Sequence, residues 1–290
     1  MKGAARMQRV RELDAMRGLA AIAIVVYHLW VLPISLLGAA VDLFFVLSGY
    51  LITSIILSHP PSERFLLAFY VRRGLRIWPI YYLSLFVVVA INPWTPRPGS
   101  LGGLPYFLTF TQNLPYYWSD VAPSFITAFR HTWSLAVEEQ FYIVWPALLW
   151  VVGRKGLGPA ALSLVALATV TRSLDWYPWI LATHCDGLAL GALLAGWIRS
   201  PSDVPRCSRF LIRLGTISVV YWVAGAALSK TLDLGMYPQL FRTIQSTRVL
   251  SLNVLFYGLV GLTVLHAGHP RLSWLRDRRL VYFGQISYGL

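Results

Sequence analysis

Long apolar runs broken by short polar and basic stretches dominate this chain. The runs cover about residues 18–37, 40–57, 77–91, 131–152, 157–171, 181–198, 211–228 and 249–266. They approach or reach the roughly 20 residues an α-helix needs to cross a bilayer. Strict alternation, the mark of a strand, is absent from them, and the backbone of an isolated span in hydrocarbon is satisfied only as a helix. The expected fold is therefore all-α, a polytopic transmembrane helical bundle of about eight complete spans. RRLVYFGQISYGL at the end reads as the start of another. A single domain over 1–290, missing its last helix or helices, is the corresponding expectation.

Residues 92–130 do not fit the pattern. They are rich in Pro, Gly and Tyr and hold one short apolar run, LGGLPYFLTFTQNL, interrupted by Pro105. Charge decides how to treat it. With no crossing there, 19 of the 25 basic residues fall on the N-terminal side of the membrane and 6 on the other. With a crossing, the split is 14 to 11. The positive-inside bias favours the first arrangement, with a cytoplasmic N-terminus.

Composition agrees with a membrane protein. Hydrophobic residues make up 57% and charged residues 13%, about half the usual charged share of a soluble domain. The net charge of +13 comes from short clusters between apolar runs, so it reads as a topology signal rather than a nucleic-acid surface. No cleavable signal peptide is evident. Cys185 and Cys207 belong on opposite sides in this topology, so neither a disulfide nor a metal cluster is expected.

Candidate chemistry starts in the first run, RELDAMRGLAAIAIVVYHLW. Arg17 and His28 are eleven residues apart. At about 100° per residue this is within roughly 20° of three whole turns, so both lie on one helix face with Asp14. His28 then sits about 16 Å deeper than Arg17, near mid-bilayer. An ionisable group there costs roughly 3 kcal/mol to insert and marks a functional site; the alternative is a core histidine bonded to a neighbouring helix. Asp42, early in the second run, is either a buried partner for His28 or Arg17 or an acid favoured by the helix dipole. Arg72, Arg73 and Arg76 fall within about a turn, a geometry that grips phosphates or, alternatively, anchors topology beside anionic headgroups. In HTWSLAVEEQFYIVWP, Ser134 and Glu138 share a face, and Glu138 is expected at about the depth of His28.

Taken together, Arg17-x10-His28, FFVLSGYL after Asp42, RRGLRIWPIYY and WSLAVEEQFYIVWP resemble, in that order, the acyltransferase 3 family of bacterial membrane acyltransferases. FGQISYGL looks like the start of that family's last conserved helix. The resemblance implies an integral inner-membrane O-acyltransferase. It would move an acetyl or other short acyl group from cytoplasmic acyl-CoA, as donor substrate, to a hydroxyl of a carbohydrate or similar acceptor, such as a cell-surface polysaccharide, a lipid-linked sugar or a glycosylated metabolite. It ties His28 and Arg17 to activity, Arg72, Arg73 and Arg76 to the donor, and Ser134 and Glu138 to the family's conserved serine and glutamate. No bound cofactor, metal or nucleic acid is implied.

Acyl transfer needs a base or nucleophile, oxyanion stabilisation and a grip on the CoA phosphates. His28 suits either of the first two roles, with Glu138 orienting it or holding acceptor hydroxyls. Direct transfer and an acyl-histidine intermediate both remain open at this point. Competing readings are a proton-coupled transporter built on the same buried polar residues and an inactive truncated remnant.

Overall fold

The charged lead-in of the first run is itself helical. In the computed structural model, which describes residues 10–30, 35–59, 62–94, 101, 103–114, 129, 131–176, 179–198, 203–231 and 237–287, helix α1 spans Arg11–Trp30. It begins seven residues before the expected start of the span. Glu12, Leu13, Ala15 and Arg17 are buried there. The cause is tertiary. The Gly268 N–H donates to Glu12 Oε1 at 2.9 Å, and Arg276 Nε lies 3.8 Å from the same oxygen.

Besides a single turn at Ser35–Gly38 and two short 3-10 segments, the helices that follow are α2 (Ala40–Ser58), α3 (Glu63–Ile91), α4 (Leu104–Leu108), α5 (Trp133–Ser173), α6 (Leu181–Trp197), α7 (Val204–Thr231), α8 (Pro238–Leu265) and α9 (Arg278–Ile286). All regular structure among the described residues is helical. Five of these helices (α2, α3, α5, α7 and α8) are long and apolar enough to cross a membrane. α5 is broken at Gly153, which has φ +66°. Glycine takes this left-handed conformation without a Cβ clash, so two helical segments meet where two separate runs were expected. α6 has 17 residues, the lower end of the length that crosses a bilayer.

Two expected boundaries move. α3 carries Arg72, Arg73 and Arg76 inside one continuous 29-residue helix, so the arginine cluster extends the span rather than preceding it. Ser62 starts this helix by accepting the Phe65 N–H at 3.2 Å, a side-chain N-cap. The apolar run after residue 100 forms only the five-residue α4, too short to cross. It is held between α3 and α5: Tyr81 and Tyr82 donate to the Phe107 and Leu108 carbonyls at 2.9 and 2.8 Å, and Gln140 donates to the Phe110 carbonyl at 2.9 Å.

Close crossings bring the polar helices together. A Cβ on Gly49 of α2 would strike the Leu188 carbonyl, and one on Gly191 of α6 the Val46 carbonyl. Small residues at such points let backbones touch. Gly284 of α9 lies in the same way on the Asp14 carbonyl, and Gly18 of α1 on that of Leu280. The core beneath is aromatic: Phe45, Phe141, Tyr142 and Trp145 are at most 2% exposed. Lys2, Arg6, Arg9, Arg97, Arg130, Pro60 and Pro61, and the last three residues of the closing segment, lie outside the described residues.

Candidate active site

Polar side chains from four helices meet inside this apolar frame. Ser48 of α2 donates to Glu138 Oε1 of α5 at 2.8 Å. Trp78 of α3 donates from its indole nitrogen to Glu139 Oε2 at 3.1 Å. The Arg73 guanidinium stands over the Tyr142 ring, 3.6 Å from its centroid, a contact worth up to about 2 kcal/mol when desolvated. Arg17, Arg73 and Glu138 all lie within electrostatic range of Tyr142, so α1 also contributes a charge. Two cations and two carboxylates therefore share one buried region, where Coulomb attraction far exceeds its value in water.

Neighbouring positions on a helix point about 100° apart, which explains the division of labour on α5. Glu138 turns to α2 and Glu139 to α3. Glu139 is the more buried, at 4% exposure, and its Oε1 has no hydrogen-bond partner among the described residues. Arg72 and Arg76 are exposed while Arg73 is half-buried, so the arginine cluster splits. Arg73 belongs to the interior, and Arg72 and Arg76 remain at the surface. A cavity of about 290 Å³ lies between the ends of α2, α3 and the break in α5. Its walls are mostly apolar, with His59 and Arg154 among the lining residues.

His28 lies elsewhere than expected. It is exposed, and its ring packs against His131 with centroids 5.6 Å apart. His131 precedes Glu138 by seven residues, about 10 Å along the helix. His28 is therefore displaced from the Glu138 level towards the N-terminal end of α5. Its Nδ1 lies 2.8 Å from the Ile24 carbonyl. A carbonyl only accepts, so in the neutral ring Nδ1 carries the hydrogen and Nε2 presents a lone pair, the form a base or nucleophile requires.

Other expected residues are redistributed. The serine bonded to Glu138 is Ser48, not Ser134, which is half-buried on α5. Asp42 joins neither Arg17 nor His28. It is half-buried within electrostatic range of Asp186 and Arg172, beside Asn253, in a second polar cluster. Asp14 is half-buried on α1, where its carbonyl meets α9. The sequence reading missed Ser48, Trp78, Tyr142 and His131 as site residues. A signal existed for two of them: Ser48 is a hydroxyl inside FFVLSGYL, and Tyr142 is four residues from Glu138, on the same helix face. Among the described residues no group of acids, histidines and cysteines is arranged to hold a metal.

The family model described as an acyltransferase domain matches residues 10–290. The chain belongs to this acyltransferase family. It is 30% identical to the peptidoglycan O-acetyltransferase OatA of Listeria monocytogenes, over all of this chain and 50% of that protein. It is 34% identical to the O-acetyltransferase OatA of Staphylococcus aureus, over 47% of this chain and 24% of that protein. The chain thus spans about half the length or less of the curated relatives it matches. No solved structure matches it.

Proposed function

We propose that this acyltransferase domain moves an acetyl or other short acyl group from cytoplasmic acyl-CoA to a hydroxyl of a carbohydrate acceptor. The acceptor class follows the names of the relatives, peptidoglycan O-acetyltransferases among them. The observation that carries the reading is the line of polar groups inside the bundle. It begins with exposed Arg72 and Arg76, passes Arg73, Arg17, Glu138 and Ser48, and leads along α1 and α5 to His28 and His131. Eight helical segments, with the two halves of α5 counted separately, cross the cytoplasmic membrane. The N-terminus and the 19 basic residues are on the donor side.

In this arrangement Arg72 and Arg76 draw in the CoA phosphates, and Arg73 and Arg17 line the path by which the thioester arm reaches towards His28, about 16 Å along α1 from Arg17. His28 Nε2 takes the acyl group or the hydroxyl proton. The bond from Ser48 fixes the Glu138 carboxylate, which leaves its second oxygen to hold polar groups of a bound substrate on the way to His28.

The test is acyl transfer in membranes from labelled acetyl-CoA to peptidoglycan fragments, with His28→Gln beside the wild type. Gln keeps a neutral hydrogen-bonding shape but takes no proton. Expected is loss of transfer with unchanged protein level and acetyl-CoA binding. A Gln variant with normal transfer would remove His28 from the chemistry.

A further inference from the structure

The reaction as read above leaves one requirement unfilled. An acceptor hydroxyl attacks well only if a base takes its proton. If His28 Nε2 carries the acyl group, that nitrogen is occupied, and its Nδ1 hydrogen is committed to the Ile24 carbonyl. A second base must stand close to the first imidazole.

One does. The His131 ring lies 5.6 Å from that of His28, inclined at 62°, and both residues are exposed. The rings are in edge contact, so a hydroxyl that reaches the edge of one lies beside the other. The pair is framed by aromatic faces: Tyr27 stands edge-on to His28 at 5.3 Å and Phe129 is tilted against His131 at 5.7 Å. Such faces suit the apolar side of a sugar ring while the imidazoles address its hydroxyls. The two rings come from different helices, at the last turn of α1 and the approach to α5, so the pairing is made by the fold and not by local sequence.

We propose that His131 is the acceptor-side general base of the reaction, acting on a saccharide hydroxyl against acyl-His28; this rests on the function proposed above. First the His28 Nε2 lone pair bonds to the acyl carbon, and CoA leaves as the thiolate. The acceptor oxygen then bonds to that carbon and its proton passes to the basic nitrogen of His131. The carbon–Nε2 bond breaks, its electron pair returns to Nε2, and the ester departs. His131 sheds the proton to water at its exposed edge, and the thiolate takes one from cytoplasmic water.

The experiment separates the two halves. Wild type, His131→Phe and His131→Ala are assayed in membranes for label retained on the protein from acetyl-CoA without acceptor, and for transfer to added peptidoglycan fragments. Phe preserves the ring contact and removes the base. Expected for both variants is retained acyl labelling, with acceptor transfer reduced by at least about a hundredfold, within the usual range for a lost general base. Free imidazole should restore part of the His131→Ala rate, since His131 lies at an exposed edge. Normal transfer by His131→Phe would overturn the proposal, because a packing role is all that Phe keeps. Loss of both halves together would also overturn it, as would active wild type with no acyl label on the protein. The last result leaves the O-acyltransferase reading standing. Failure of wild type to acylate any acceptor from acetyl-CoA would sink that reading instead.

Discussion

Two buried polar clusters occupy this bundle, and they are built differently. In one, Arg172 meets Asp186 with both nitrogens, at 2.7 and 3.0 Å, and also donates to the Thr183 carbonyl. Asp186 is 1% exposed. This is a two-pronged ion pair that also reaches a backbone carbonyl, with Arg172 Nε left without a partner among the described residues and with Asp42 and the fully buried Asn253 beside it. In the other, each carboxylate shows one side-chain hydrogen bond among the described residues. Ser48 meets Glu138, Trp78 meets Glu139, and Arg73 faces an aromatic ring. A closed pair fixes helices; carboxylates that keep lone pairs to spare beside cations can receive a substrate. On this difference the first cluster is expected to hold the fold and the second to serve the proposed chemistry.

The largest expected effect breaks the closed cluster. Arg172→Ala strands the Asp186 charge inside the bundle, and losing one partner of a buried pair costs about 3–5 kcal/mol. Folded yield and thermal stability in detergent should collapse, whatever the substrate. A stable, fully active Arg172→Ala protein would contradict the structural role. Glu138→Gln should show the opposite pattern. It keeps the shape and an acceptor for Ser48, so stability should change by no more than about 1 kcal/mol, while transfer falls at least about a hundredfold. Equal losses of stability and activity would merge the two clusters into one class.

A smaller effect is expected where neither cluster is touched. Gly284→Ala forces α9 off the Asp14 carbonyl, and overpacking of this kind costs about 1–3 kcal/mol. Because α1 carries both Arg17 and His28, activity should fall in step with thermal stability. Arg72→Ala with Arg76→Ala is milder for the fold, since both side chains are exposed. It should weaken acetyl-CoA binding, by about 1.5–3 kcal/mol for each charge-assisted hydrogen bond to a phosphate that is removed, and leave unfolding unchanged. Unaltered affinity returns these two arginines to topology alone. The smallest signal is thiol labelling. Cys185 is buried with its Sγ 3.3 Å from the Leu164 carbonyl, and Cys207 is half-exposed. Only Cys207 should react in intact protein, and only from the cytoplasmic side; reaction from outside would reverse the proposed topology.

How much of this is legible in the sequence varies with the kind of signal. Apolar length finds the helices, and Gly153 falls between two of the runs. Helical spacing puts Asp14 and Arg17 on one helix with His28, but apolar length does not see that Glu12, Leu13 and Arg17 are buried, because charges lower an apolar count unless partners such as Gly268 and Arg276 are known. Glu138 and Glu139 stand out as two acids in an apolar helix, and both do turn inward. Ser48 does not stand out, since a lone serine in a span is also a helix-packing residue. For Asp42, the nearest charges in sequence point to Arg17 or His28. The structure gives it to Arg172 and Asp186, more than a hundred residues away.

The sequence by itself determined the solvent of this protein, its helical class and which residues were too polar for lipid. Those follow from transfer energies that act residue by residue. It also determined that Arg17 and His28 share a stripe, because helical spacing is local. Only the tertiary structure decided what each polar group meets. Partner choice depends on which helices cross closely, and that is set by backbone contacts such as Gly49 on Leu188 and Gly284 on Asp14, between positions widely separated in sequence. For that reason His28 was visible from the first apolar run, and His131 became visible only when α1 and α5 were placed side by side.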